Sequence, residues 1–424
     1  MSASVRIVLG LLAGLVCGIA VAAFGGARLT AVADAFGLVG ELWLNALRMT
    51  VLPLLVALLV TGIASTRETA ASGRLAGRAL SLFAIFVAGS AIFAAFAMPA
   101  MLALWPVDPG PRAALLAGLG AGSQALPPHP PLREWFGGVV PTNPFRAAAD
   151  GAILPLVVFT LLFGLAASRL SAAARAPLLG FFQAVADAML IVVRWVLWVG
   201  PLGVFALALG VGMHGGVAAA GALTQYLVMM CALAIVVTLA MYPLARAFGG
   251  VPTRRFAAAA APAQAVAFST QSSLASLPAM LTGAERLGTS PRVAGVVLPL
   301  AVSVFKATSP ALNLAVVLFV AHVTGVELDP WRIALGVGVA FLTSFGVAGI
   351  PGQASFLTTT VPISAVMGVP MELLMLLIAI EVIPDIFRTV GNVTADLAVT
   401  AIVDRREARA QGNAVGEMVD EQAA

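Results

Sequence analysis

Long apolar runs cut by glycine, proline and charge make up this chain, and the cuts give its map. Runs at about 5–25, 37–64, 78–104, 151–168, 178–212 and 217–246 read as helical spans, since a bilayer crossing takes about 20 apolar residues. The texture changes after Gly250. Residues 251–288 are rich in Ala and Ser and are interrupted by Ser269-Thr270-Gln271-Ser272-Ser273. An unbroken span follows at about 293–324, then a second interrupted stretch at about 331–366, centred on Gly346, Gly349, Pro351 and Gly352. The last span, about 369–403, carries charges in its interior, and the segment from Asp404 is polar and expected to fray.

Charge orients the map. With the N-terminus inside, the cytoplasmic side receives Arg6, Arg67, Arg74, Arg78, Arg169, Arg175, Arg246, Arg254, Arg255, Arg286, Arg292, Arg405, Arg406 and Arg409. Short outside connections hold only Arg28 and Arg332, while Arg112, Arg133 and Arg146 fall in the long proline-rich connection 105–150. The asymmetry requires each interrupted segment to enter and leave on one side. The expectation is an all-α polytopic membrane protein with eight transmembrane helices and two re-entrant helical hairpins, both termini cytoplasmic. Units 251–324 and 331–403 would then repeat with opposite topology, a pattern that marks a transporter binding site, because non-helical backbone at membrane depth is tolerated only in protein or beside a wet cavity. Two ordinary kinked helices are the alternative.

Composition agrees. Of 424 residues, 61% are hydrophobic and 10% charged, against about 25% charged in soluble domains. A mean hydropathy of +1.03 excludes a disordered chain, a basic nucleic-acid binder and almost every soluble enzyme. The net charge is +4, nearly every cation is arginine, and Lys306 is the only lysine. Cys17 and Cys231 lie in apolar runs and read as buried thiols without a disulfide framework or metal. His129, His214 and His322 are dispersed, so no metal site is expected. Trp43, Trp105, Trp135 and Trp331 fall near predicted span ends and fit an interfacial belt; Arg48 and Arg194 read as pairing or snorkelling residues. The first run, Val5 to Phe24, reads as a retained helix and not a cleaved signal, which points to a bacterial-type inner membrane.

Within the last span, Glu381, Asp385, Arg388, Asn392 and Asp396 follow steps of 4, 3, 4 and 4, along one helix face, with Thr389 beside them. Intramembrane charges are costly unless paired or solvated and are functional candidates by default. An arginine fork grips a carboxylate, and a carboxylate one turn away can hold an ammonium group. A structural Asp–Arg pair joining helices is the other reading. Ser272, Ser273 and Ser276 at the first tip and Gly346 to Gly352 at the second would let half-helix ends and backbone approach a ligand, although serine-rich membrane segments also serve as packing surfaces.

These residues resemble the glutamate/aspartate transporter family, the dicarboxylate/amino acid:cation symporters, over nearly the whole chain. The likeness is carried by Val140-Pro141-Thr142-Asn143-Pro144, by Gln271-Ser272-Ser273-Leu274-Ala275-Ser276-Leu277-Pro278, and by Gly346-Val347-Ala348-Gly349-Ile350-Pro351-Gly352. Most specific is Asp385-Ile386-Phe387-Arg388-Thr389-Val390-Gly391-Asn392-Val393-Thr394-Ala395-Asp396, which fits the family's D-x-x-R-T-x-x-N-x-x-x-D. The resemblance implies a homotrimer, a fixed scaffold and a mobile transport domain in each protomer, and an elevator-like step. It implies that Asp385 holds a substrate amino group, that Arg388 holds its side-chain carboxylate, and that Thr389 and Asn392 add contacts. It further implies that Ser272, Ser273, Gly349, Ile350 and Pro351 close over the ligand. By the same resemblance Asp396 is a sodium ligand; Lys306, Glu381 and Asn313 of this chain are further cation-coupling candidates. No other cofactor than a coupling Na+ or H+ is expected.

The resemblance divides the chain into scaffold helices at 1–77, a transport-domain helix at 78–104, and the connection 105–150. It then places two scaffold helices and a transport-domain helix in 151–250, the transport core at 251–403 and a cytoplasmic tail at 404–424.

Departures from the family bear on the ion. Its seventh span carries N-M-D-G-T, where this chain reads Phe305-Lys306-Ala307-Thr308-Ser309, so the aspartate is Ala307 and the lone lysine precedes it. In the third span an aromatic hydroxyl and a threonine expected near a sodium site fall at Phe86 and Gly89, and an arginine common at the first tip is Gln271. The expectation is a symporter of acidic amino acids or C4-dicarboxylates with its sodium machinery reduced, or replaced by proton coupling or by Lys306. A sensor, or an uncoupled facilitator or channel, is the alternative. A membrane-embedded enzyme would need a motif such as H-E-x-x-H or G-x-S-x-G in context, and none is present.

Overall fold

A computed structural model describes residues 3–71, 73–118, 140–150, 153–346 and 352–423. Among them the regular structure is entirely helical. The N-terminal half comprises α1 (Ala3–Phe24), α2 (Ala27–Ala71), α3 (Arg74–Leu104), α4 (Pro109–Gly118), α5 (Pro144–Ala149), α6 (Ile153–Ala167), α7 (Ala172–Trp198) and α8 (Gly200–Gly249). The C-terminal half comprises α9 (Thr253–Thr270), α10 (Ser273–Leu287), α11 (Pro291–Val304), α12 (Ser309–Thr324), α13 (Pro330–Gly346), α14 (Gly352–Met367), α15 (Glu372–Leu377) and α16 (Val382–Ala423). Among the described residues, 6 helical stretches are long and apolar enough to cross a membrane, and shorter apolar helices accompany them. Together they make an all-α, multi-pass membrane protein.

Glycine sets the first helix contact. On α1, Gly10, Gly14 and Gly18 face α8 so closely that a Cβ at Gly10 would lie 2.5 Å from the Pro201 carbonyl oxygen, and one at Gly14 2.5 Å from that of Phe205. In lipid, where apolar surface gives no hydrophobic drive, such close backbone approach is what holds helices together.

Both hairpins of the C-terminal half are present, and they open at opposite ends. The ends of α9 and α10 are tied by Arg255, whose Nη2 donates to the Arg286 carbonyl at 2.9 Å. At the same end the Ser290 N–H donates to Asp404 Oδ1 at 3.0 Å, Arg405 donates to the Ala247 carbonyl, and Arg78 pairs with Glu407. The cluster collects arginines that the charge pattern assigns to one side. Helix α12 then crosses to the other end, where Arg112 Nε donates to the Val323 carbonyl at 2.6 Å and Arg332 lies against Gly368, closing the base of α13 and α14. Between them α12 is buried along nearly all its length, as the central post of this half.

Several expectations change. The run 178–212 is not one helix: α7 ends at Trp198 and α8 begins at Gly200-Pro201, then kinks at Gly216, whose φ of 59° is left-handed. The span 293–324 is broken, because Phe305 turns to an extended conformation and Thr308 precedes a fresh helix start at Ser309-Pro310. The last span is also broken, at 378–381 between α15 and α16. From Asp404 the chain stays helical to Ala423 instead of fraying. Cys17 is exposed and Cys231 half-buried, so neither is a buried core thiol. Trp43 is no belt residue: it is buried and its indole N–H donates to the Val196 carbonyl at 3.0 Å. Trp105 and Trp331 are partly exposed, whereas Trp135 lies outside the described residues.

Candidate functional site

Two broken helices meet at the centre. The break in the seventh span leaves Phe305 to Thr308 as non-helical backbone, and the first two turns of α16 pass beside it. Thr308 fastens the two. Its N–H donates to Asn392 Oδ1 at 3.0 Å, and its hydroxyl lies 2.8 Å from the Arg388 carbonyl and 2.7 Å from Asn392 Oδ1. Gly391 makes the approach possible. A Cβ there would lie 2.6 Å from Thr238 Oγ1 and collide with the Thr308 methyl. Gly391→Ala is therefore expected to lower stability by about 1–3 kcal/mol despite the better helix propensity of alanine, read as a lower Tm in detergent.

Arg388 is only 3% exposed. One end of its guanidinium, Nη2, pairs with Glu381, and Nη1 lies 3.6 Å from Asp385 Oδ1. Nε and Nη1 have no hydrogen-bond acceptor among the described residues. Glu381 is in the turn just before α16, and its other oxygen, Oε2, accepts a bond from the Tyr226 hydroxyl at 2.7 Å. Tyr226 reaches in from α8 and is completely buried, its ring edge-on to Phe319 of α12 at 5.2 Å. The arrangement is thus a buried chain: phenol, carboxylate, guanidinium, carboxylate. Charges at this depth persist because each is paired.

About two turns further on, the second centre is less satisfied. Asp396 is fully buried, and neither of its carboxylate oxygens has a hydrogen-bond donor among the described residues; Asn313 Oδ1 of α12 is likewise unpartnered. Lys306 supplies the nearby positive charge. It projects from the break in the seventh span, its Nζ 3.5 Å from Ser273 Oγ at the first hairpin tip, within Coulombic reach of both Asp396 and Asp385.

The first tip is built around Gln271, a non-glycine residue with a left-handed φ of 52° that ends α9. Ser272 caps α10, its hydroxyl accepting from the Ala275 N–H at 3.2 Å, and Ser273 is buried against Lys306. Thr389 donates to the Asp385 carbonyl at 2.8 Å. The structure therefore gathers Glu381, Asp385, Arg388, Thr389, Asn392, Asp396, Lys306, Ser272 and Ser273 around one region, with Asn313 on the adjacent post. Gly349, Ile350 and Pro351 lie outside the described residues. Tyr226 is the participant that sequence reasoning missed. It is one of two tyrosines in the chain, set in an apolar run, and that rarity was the available clue.

Around the position of the family's missing aspartate the surroundings are aromatic. Phe305 stacks on Phe83 at 4.5 Å, and Phe86 meets it edge-on at 6.3 Å. Phe86 and Gly89 line an apolar groove of about 460 Å3 between α3 and α8. No group of three or more His, Cys, Asp or Glu side chains is placed to hold a metal among the described residues.

A multi-pass bundle whose broken helices meet at a buried, paired guanidinium is the arrangement expected of a membrane-transport site. The sequence profile of the sodium:dicarboxylate symporter family matches residues 3–406, and the chain belongs to that family. It is similar to a proton/sodium-glutamate symport protein of Bacillus subtilis (strain 168), with 28% identity over 87% of this chain and 85% of that one. It is also similar to a proton/glutamate-aspartate symporter of Escherichia coli (strain K12), at 25% identity over 87% and 84% of the two chains. A C4-dicarboxylate transport protein of Citrifermentans bemidjiense is 28% identical over 87% and 83%.

Proposed function

We propose that this chain is a secondary active symporter, not an enzyme, that moves acidic amino acids or C4-dicarboxylates across a bacterial-type inner membrane, with both termini cytoplasmic. It works as a homotrimer by elevator-type alternating access. The observation that carries the reading is Arg388: a buried guanidinium between Glu381 and Asp385, with free N–H capacity at Nε and Nη1 among the described residues. A substrate carboxylate satisfies that capacity, Asp385 receives an amino group where there is one, and Thr389, Asn392, Ser272, Ser273 and the Gly349–Pro351 segment complete the enclosure. The transport domain comprises 78–104, the last helix of 151–250 and the core 251–403, with the scaffold formed by 1–77 and the rest of 151–250.

Coupling rests on protons more than on sodium. Where the family's seventh-span aspartate would help bind sodium, this chain has Ala307, whose methyl offers a cation no oxygen ligand, and the nearby Phe305 packs against Phe83 and Phe86. The Lys306 ammonium takes the electrostatic place of a cation near Asp396. The orphaned oxygens of Asp396 and Asn313 suit a small cation chemically, and they would be the ligands if one sodium binds; its contribution would be to neutralise Asp396.

The test is uptake of labelled glutamate, aspartate and succinate into proteoliposomes, with sodium or potassium, and with or without an inward proton gradient. Accumulation above equilibrium, driven by the proton gradient in sodium-free buffer, is expected. A strict sodium requirement would overturn the coupling reading. Equilibration without accumulation would replace symport with the uncoupled facilitator, and binding without flux would indicate a sensor.

A further inference from the structure

Glu381 has no assigned task in holding substrate, yet it occupies the arginine that substrate needs. Its Oε1 pairs with Arg388 Nη2, and its Oε2 is held by the Tyr226 hydroxyl at 2.7 Å. All three side chains are buried, Glu381 to 1% exposure. An incoming carboxylate that takes the free Nε and Nη1 donors therefore shares one guanidinium charge with Glu381, which holds only Nη2, and with Asp385. One positive charge then faces the substrate carboxylate and Glu381 together, and an interior anion without full compensation is costly enough that such a group takes a proton instead.

We infer that Glu381 is the carrier of the coupled proton, trading its ion pair with Arg388 for a proton when the substrate carboxylate takes the guanidinium. The inference rests on the symport reading above. The balance is simple: one proton leaves water on the side to which the site is open, and bonds to a Glu381 carboxylate oxygen. Arg388 stays charged and pairs with substrate. On the opposite side substrate leaves, the proton returns to water, and the Glu381–Arg388 pair reforms. No bond other than the O–H is made or broken.

Tyr226 suits both states, because a phenol is donor and acceptor. It donates to ionised Glu381, and it can accept from the protonated carboxyl after its own hydrogen rotates away. The other titratable or charged groups facing Glu381 are Asp385 and Arg388 on α16, which follows it, and Cys231 on α8. Asp385 keeps a positive neighbour in both states, since Lys306 and Arg388 both act on it. Cys231 is a weak hydrogen-bond partner, and Cys231→Ala should leave the profile in place. Glu381 is alone in having no cation but the one that substrate draws on.

The experiment is substrate affinity of the purified full-length protein from pH 5 to 9 in sodium-free buffer, by calorimetry with succinate and glutamate as probes. Buffers of differing ionisation enthalpy count the protons taken up. The wild type should take up about one proton per substrate, and its Kd should rise by up to about tenfold per pH unit on the alkaline side. Glu381→Gln should bind with a flat profile, and in proteoliposomes it should exchange internal for external substrate without accumulating it. Glu381→Asp should restore the slope with a shifted midpoint, and Tyr226→Phe should move the midpoint without removing the slope.

A slope and proton count preserved in Glu381→Gln would overturn the assignment to Glu381 alone, with symport intact. Should Glu381→Gln not fold, the wild-type proton count decides: no proton taken up on binding overturns the inference. Absence of binding of either probe at any pH would overturn the symport reading with it.

Discussion

Arg388→Met should lower affinity for any acidic solute by roughly 30-fold to several thousand-fold, the 2–5 kcal/mol expected when one partner of a buried hydrogen-bonded charge pair is removed. Calorimetry with glutamate and succinate measures it. The same change should destabilise the protein by about 3–5 kcal/mol, because Glu381 and Asp385 both lose the guanidinium beside them. The stability loss has a diagnostic partner. Arg388→Met combined with Glu381→Gln removes the stranded anion, so the double variant should melt at a higher temperature than the single one while still failing to bind. If the single variant kept both affinity and selectivity, the substrate site would have to lie elsewhere. If the double variant were less stable than the single, the Glu381–Arg388 pair would not be the dominant contact at this point.

The second large effect concerns the lone lysine. Lys306→Met deprives Asp396, a carboxylate with no hydrogen-bond donor among the described residues, of its nearby positive charge. Stability in potassium buffer should fall by about 3 kcal/mol or more, as for a buried charge left without its compensation. Sodium should return part of it, by mass action on the vacated centre. The wild type should melt at the same temperature in sodium and potassium, and the variant should melt higher in sodium. Asp396→Asn added to Lys306→Met should abolish that sodium response. Equal melting of Lys306→Met in both salts would argue that the ammonium serves packing at the first hairpin tip, through Ser273, and not the carboxylate.

Much of this was legible from hydropathy and charge. Apolar runs located the helices, and the parity of the arginines required two hairpins opening at opposite ends, which the Arg255–Arg286 and Arg332–Gly368 contacts then mark. The stripe from Glu381 to Asp396 was visible because charges are rare in apolar helices. What escaped were the breaks. Each break holds one charge, Lys306 in 305–308 and Glu381 in 378–381, but a single charge is diluted in a window average, which does not register a few residues of extended or turn backbone. Ser309-Pro310 was a usable sign of a new helix start, yet Pro is common enough in membrane helices to be read as a kink. Tyr226 was out of reach for another reason. Its bond to Glu381 joins positions 155 residues apart, and periodicity within one helix carries no information about such a pairing.

The Thr308 fastening has a mechanical consequence. A single hydroxyl and a single amide lock the kinked seventh segment to the rung of α16 that bears Arg388 and Asn392, so ammonium and guanidinium ride on one stiff floor. Such a floor cannot reshape itself to admit solutes from alternate faces. On the proposed elevator step the floor travels as one piece, and a solute arriving from either compartment meets the same pair of cations at the same spacing.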